Sequence, residues 1–159
     1  MRKVLSAALI ACMLVLLCAL SVPAVRAEPI TEAQGAIIYK TIDWHVGKVV
    51  GDNTFMYGTS TLELTGTFAG TATDVWKQVV HADGQNFRNV LTFTGMVGDK
   101  SGTLTFRLVG CAPGLEPDVV WSGAWTILHG TDDLENLRGE GTWGGMATDL
   151  QYSGYIEFE

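Results

Sequence analysis

From residue 35 onward the chain alternates apolar and polar side chains in short runs rich in Thr, Val, Leu and aromatic residues. No segment sustains a helical period for as many as ten residues. Successive side chains of a strand point to opposite faces, so a two-residue period marks half-buried β-strands. On this basis the runs at 35–42, 46–50, 54–57, 61–68, 73–81, 87–97, 103–110, 119–128, 139–144 and 150–158 read as strands. The 19 glycines all fall within this patterned region and punctuate it as turns and bends.

The clearest hairpin spans 90–110. A Gly98-Asp99-Lys100-Ser101 turn sets a register in which paired residue numbers sum to 199. Leu91 then faces Leu108, Phe93 faces Phe106 and Gly95 faces Leu104 on one side, while Thr92, Thr94 and Met96 share the other with Arg107, Thr105 and Thr103. Along 119–128, Val119, Trp121, Gly123, Trp125 and Ile127 take one face. The last two strands close around Met146-Ala147-Thr148-Asp149, which sets Trp143 opposite Tyr152 and Gly141 opposite Gly154. Facing glycines permit bending, and many bent antiparallel strands favour closure into a barrel, which removes exposed edges. The fold class is therefore all-β, an antiparallel barrel of lipocalin-like kind, with a β-sandwich as the competing arrangement. The alternation fails between Leu128 and Gly141, where Thr131 or Asp132 can cap a single helical turn with Leu134 and Leu137 on one face. Such a turn would plug one barrel end.

The first residues have a different character. Arg2 and Lys3 precede an apolar run over 4–20, and Ser21-Val22-Pro23-Ala24-Val25-Arg26-Ala27 offers small or short residues where a signal peptidase cuts. Residues 1–27 are expected to be a secretory signal peptide, cleaved after Ala27 to leave Glu28 at the new terminus. A retained transmembrane helix is disfavoured because the run is near the lower length limit for spanning. Lipid attachment at Cys12 is disfavoured because it would leave the apolar 13–20 on the product. No membrane span is then expected after processing, and the protein is expected to be secreted or periplasmic. Residues 28–34 read as a flexible arm, and 35–159 as a single domain with no linker composition inside it.

After Ala27 there remain 7 Lys and Arg against 17 Asp and Glu, a net charge of −10. A surface so acidic repels phosphate backbones, which excludes nucleic acid as an expected partner. Cys12 and Cys18 leave with the signal peptide, so Cys111 stands alone and no internal disulfide can form. The domain must rest on its core.

The block Thr94-Gly95-Met96-Val97-Gly98-Asp99-Lys100-Ser101-Gly102-Thr103-Leu104-Thr105-Phe106, with Trp125-Thr126-Ile127 and Leu134-Glu135-Asn136-Leu137-Arg138-Gly139-Glu140-Gly141, resembles the bacterial family called domain of unknown function 3224. More distantly, the chain looks like allene oxide cyclases and plant dirigent proteins. The resemblance implies a barrel of about eight strands with an apolar cavity. It covers about residues 66–158, and the chain departs from the pattern at His129-Gly130-Thr131-Asp132 and in the loop 111–117. It carries over no catalytic residue, and it implies fold rather than reaction.

Chemistry-bearing residues are sparse. His45, His81 and His129 lie far apart in the chain, with none at metal-ligand spacing to another. Asp43-Trp44-His45 and His81-Ala82-Asp83 each place an imidazole and a carboxylate on one strand face. That arrangement could orient a general base, although such pairs are common on polar faces. Asp132-Asp133-x-Glu135 lacks the glycine and spacing of a calcium loop and suits a helix start. Cys111 has no histidine near it in sequence and reads as a plain thiol. Neither a metal nor another cofactor is expected. Phe93, Phe106, Trp121, Trp125, Trp143 and Tyr152 are the expected walls of a cavity for a small apolar molecule, because Gly95 and Gly123 withhold side chains from the same faces. Arg138 is either an anchor for a ligand carboxylate or a structural partner of Glu140, Asp132 or Asp133. Three functions follow as alternatives: a binding protein for an apolar ligand, a cyclase- or isomerase-like enzyme using the same cavity, and a structural protein with a filled barrel.

Overall fold

The computed structural model describes residues 30–116 and 118–159. The expected signal peptide and its alternatives lie outside the described residues. Eight antiparallel strands follow one another around a closed barrel in chain order. They are β1 (Thr31–Val50), β2 (Asn53–Gly66), β3 (Phe68–His81), β4 (Gly84–Val97), β5 (Lys100–Ala112), β6 (Trp121–Gly130), β7 (Leu137–Met146) and β8 (Asp149–Phe158). Each pairs with the next, and β8 returns to β1 through Thr31↔Ile156 to Ile37↔Leu150. Every strand is thus paired on both sides over part of its length, which is what closure provides to an all-β chain.

Several expected elements are different in the structure. The runs 35–42 and 46–50 are one strand, β1, and 54–57 and 61–68 are largely one strand, β2. Two register shifts in β1, between Tyr39 and Thr41 and between Val46 and Lys48, absorb the residues that interrupt the alternation. Gly58, which reads as a break, stays in the ladder opposite Trp44 on one side and Trp76 on the other, because ladder bonds join backbones whatever the side chain. The expected free arm 28–34 is corrected from Thr31 onward. Glu32, Ala33 and Gln34 pair with Tyr155, Gly154 and Ser153, and Ala33 is fully buried. β6 begins at Trp121 rather than at residue 119.

The hairpin of β4 and β5 is corrected in register. Leu91 faces Phe106, Phe93 faces Leu104 and Gly95 faces Gly102, so paired numbers sum to 197. The turn is the two-residue Gly98-Asp99, flanked by Val97↔Lys100, with Gly98 at φ 65° as a tight hairpin turn demands. The change of two leaves every side chain on its expected face, which is why alternation alone could not distinguish the two registers. In β7 and β8 the expected pairs are present: Trp143↔Tyr152, Gly141↔Gly154 and Met146↔Asp149.

The break between β6 and β7 holds a single 3-10 turn, Asp132–Leu134, preceded by Thr131 in an extended conformation. Its Leu134, with Leu137 beyond it, is fully buried in the core cluster, so the turn closes one end of the barrel. Thr131 ties it to β5 through Thr131 N–H donating to the Thr103 carbonyl at 3.0 Å.

That end is solid. Phe68 sits among Phe93, Phe106, Trp125 and Tyr152, with ring centroids 6.1, 5.1, 5.7 and 5.3 Å away. The Tyr152 hydroxyl donates to the Thr65 carbonyl and accepts from Phe68 N–H, both at 2.9 Å. Trp125 Nε1 lies 3.1 Å from both the Thr142 and Ser153 carbonyls. Each polar tip is satisfied as its ring is buried.

Candidate functional site

The opposite end is hollow. β1 outruns β8, and its residues beyond Ile37 pair only with β2, so the β1–β2 hairpin stands above the β7–β8 turn. Below it lies a cavity of about 240 Å³. β1 contributes Tyr39, Ile42 and Trp44, β2 Met56 and Ser60, β3 Trp76 and Gln78, and β4 Phe87. Trp121, Trp143 and Leu150 complete the ring from β6, β7 and β8, with Ala147 at the turn. Ile42 and Trp44 are 55% and 54% exposed and form an apolar lip at its mouth. Phe87 touches Trp76, Trp121 and Trp143 at centroid distances of 6.2, 6.0 and 6.0 Å, so the walls are braced against one another.

Of the residues expected to bound a site, only Trp121 and Trp143 line this cavity. Phe93, Phe106, Trp125 and Tyr152 belong to the filled end, where a void of only about 20 Å³ remains beside Trp125 and Tyr152. The room expected above Gly95 and Gly123 is taken by rings: a Cβ on Gly95 would stand 2.6 Å from Phe93 Cζ, and one on Gly123 2.5 Å from Trp143 Nε1. Glycine pairs thus serve as seats for aromatic rings. Arg138 is away from the cavity. Its Nε pairs with Glu159 at 3.1 Å and its Nη1 donates to the Glu135 and Leu137 carbonyls, each at 3.2 Å, rather than to Glu140, Asp132 or Asp133.

A buried polar cluster, not anticipated from the sequence, lies at the level of the cavity floor. Asp74 of β3 is 1% exposed and Asn89 of β4 is 5% exposed, and Asn89 Nδ2 donates to Asp74 Oδ2 at 2.7 Å. Ser60 of β2 pairs with Asp74 in register and accepts from Trp76 Nε1 at 2.9 Å. Burial raises the Asp74 carboxyl above the usual carboxylate range, against the lowering effect of hydrogen bonds from Asn89 and Ser60. Burial, and secondarily the Asp74 charge, raises the Tyr39 phenol, which keeps it protonated. Asp74 was hidden because a carboxylate within an alternating strand reads as an outward residue. Trp76 and Phe87 lie on expected strands, and Phe87 could have been found by extending the face of Leu91 and Phe93 toward the start of β4.

The remaining candidates stay apart. His45 is exposed and stacks on Tyr57, His81 contacts Asn86 at 3.2 Å, and Cys111 is an exposed free thiol. Among the described residues no three His, Cys, Asp or Glu side chains converge as a metal site would need.

No family model matches the chain, and no curated protein matches it. Among solved structures, the crystal structure of a protein of unknown function from the DUF3224 family of Shewanella oneidensis MR-1 is similar, with a TM-score of 0.65 and 11% identity. The match covers 82% of this chain and 98% of that one. At such identity the likeness is one of fold, and the barrel described above is therefore the fold seen in that DUF3224 structure.

Proposed function

We propose that this is an exported β-barrel protein of the domain of unknown function 3224 kind that binds a small apolar molecule in the open end of its barrel. The observation that carries the reading is the division of the interior: rings fill one half, while the other keeps about 240 Å³ of space walled by Trp44, Trp76, Phe87, Trp121 and Trp143. Small-molecule sites are concave, mostly apolar spaces that often lie in the mouths of β-barrels, so a space of this size with apolar walls points to an occupant. A wholly structural role is disfavoured because that role calls for a filled barrel.

Tryptophan emission supplies the test, since the indoles line the cavity. Titration with fatty acids, terpenoids and phenolics should give a saturable emission change for at least one class, and Trp121→Ala should weaken or retune it. A flat response to all three would remove the binding reading. A cyclase- or isomerase-like activity in the same cavity draws support from one feature, the inward Asp74 beside Tyr39, because acid–base enzymes use carboxyls shifted by burial. Turnover of a bound ligand that stops in Asp74→Asn would favour it.

A further inference from the structure

The polar lining of the cavity is small and uncharged: among the described residues no Lys, Arg, His, Asp or Glu lies in its wall, only Tyr39, Ser60 and Gln78 beside the indoles. Ser60 Oγ is engaged by Trp76 and Gln78 by Gln85. The Tyr39 hydroxyl makes no hydrogen bond to any described residue, although its ring packs against the core. It is a half-buried donor at the edge of an apolar space, placed where an acceptor that arrives with a ligand can meet it.

The neighbouring acid sets the sign of what can enter. Asp74 and Asn89 share one hydrogen bond, and Asp74 Oδ1 and Asn89 Oδ1 are both buried acceptors with no donor. A proton on Asp74 Oδ1 converts one of these two orphan acceptors into a donor. The raised Asp74 carboxyl agrees with this state. An anionic ligand would find no cation in the wall. A cationic ligand would require Asp74 to ionise beside Tyr39 in a site shielded from water.

We infer that the cavity selects a compact, uncharged apolar molecule carrying one hydrogen-bond acceptor such as a ketone or aldehyde carbonyl, which the Tyr39 hydroxyl receives. This rests on the binding reading above and narrows it to a ligand class. The volume of about 240 Å³ lies below the roughly 300 Å³ at which pockets for drug-sized ligands begin, so a bicyclic skeleton rather than a long chain fits inside.

Four probes on one naphthalene skeleton separate the possibilities by calorimetric titration: ethylnaphthalene, acetylnaphthalene, naphthoate and naphthylmethyl-trimethylammonium. Acetylnaphthalene should bind about fivefold to tenfold tighter than its ethyl isostere, the worth of one net hydrogen bond. Tyr39→Phe should erase that advantage and leave ethylnaphthalene affinity unchanged, and both charged probes should bind more weakly than the ketone. Equal affinity for the ketone and the hydrocarbon in the unaltered protein, or tightest binding of either ion, would overturn the ligand class while leaving a binding cavity. An advantage that survives in Tyr39→Phe would remove Tyr39 as the donor. Failure of all four probes to bind would overturn the binding reading along with it. The ranking in the unaltered protein decides the ligand class even if Tyr39→Phe fails to fold.

Discussion

Truncating two tryptophans of the same strand, Trp125 and Trp121, should separate the filled end of the barrel from the hollow one. Trp125 is 3% exposed, touches Phe68, Phe106 and Tyr152, and covers the Gly141–Gly154 pair. Its replacement by Ala loses the whole buried ring, leaves a cavity that strands held by ladders on both sides cannot collapse, and removes the donor to two carbonyls. Buried Trp→Ala changes of this kind cost about 3 to 5 kcal/mol. Trp121 is half-buried, meets one ring, Phe87, at 6.0 Å, and borders space that is already empty. With about half the area lost and little new cavity, Trp121→Ala should cost about 1 to 2 kcal/mol. Urea unfolding at matched slopes measures both, and the slope itself reports whether either variant has loosened the native state. Only Trp121→Ala should also alter ligand binding. Equal destabilisation by the two substitutions, or retention of ligand affinity in Trp121→Ala with loss in Trp125→Ala, would refute the division of the interior.

Three further outcomes follow. The raised Asp74 carboxyl means that the folded state holds its proton to higher pH than the unfolded chain. Its contribution to stability is therefore full below the ordinary carboxylate pKa and is lost as pH rises through the raised value. Asp74→Asn, which carries no such proton, should gain stability relative to the unaltered protein as pH rises from about 4 to about 7 in urea titrations, and parallel pH profiles would show that Asp74 ionises freely; Tyr39, Ser60 and Asn89 are the groups facing it from β1, β2 and β4. Arg138→Ala removes an ion pair whose side chains are 38% and 60% exposed, so it should cost no more than about 1 kcal/mol and leave ligand affinity untouched. Loss of binding at an unchanged unfolding midpoint would make Arg138 an anchor instead. Intact mass of protein recovered outside the cytoplasm should correspond to a chain beginning at Glu28 without lipid, and a lipidated product beginning at Cys12 would refute the assigned cleavage.

The sequence by itself determined the class of fold and the facing of most strands, because burial against one core enforces a two-residue period that composition cannot hide. The inward Trp125 and Ile127, the Trp143↔Tyr152 pair and the turn carrying Leu134 all follow from that period or from its interruption. What it could not determine depends on distances across the barrel. The shift of the β4–β5 register keeps both faces intact, so only the ladder chooses between the two pairings. The pairing of 31–34 rests on the backbone of β8, which leaves little trace in side-chain pattern. Whether an inward ring fills space or borders it depends on the ring opposite. Phe68 meets four rings and closes one end, whereas at the other Phe87 braces Trp76, Trp121 and Trp143 as a wall and leaves the space beside them open. Asp74 shows the same limit from the polar side. Polarity assigns a lone carboxylate to solvent although the two-residue period sets it on the face of Ala72 and Trp76, and only tertiary closure, with Asn89 delivered from the adjoining strand, makes its burial tolerable.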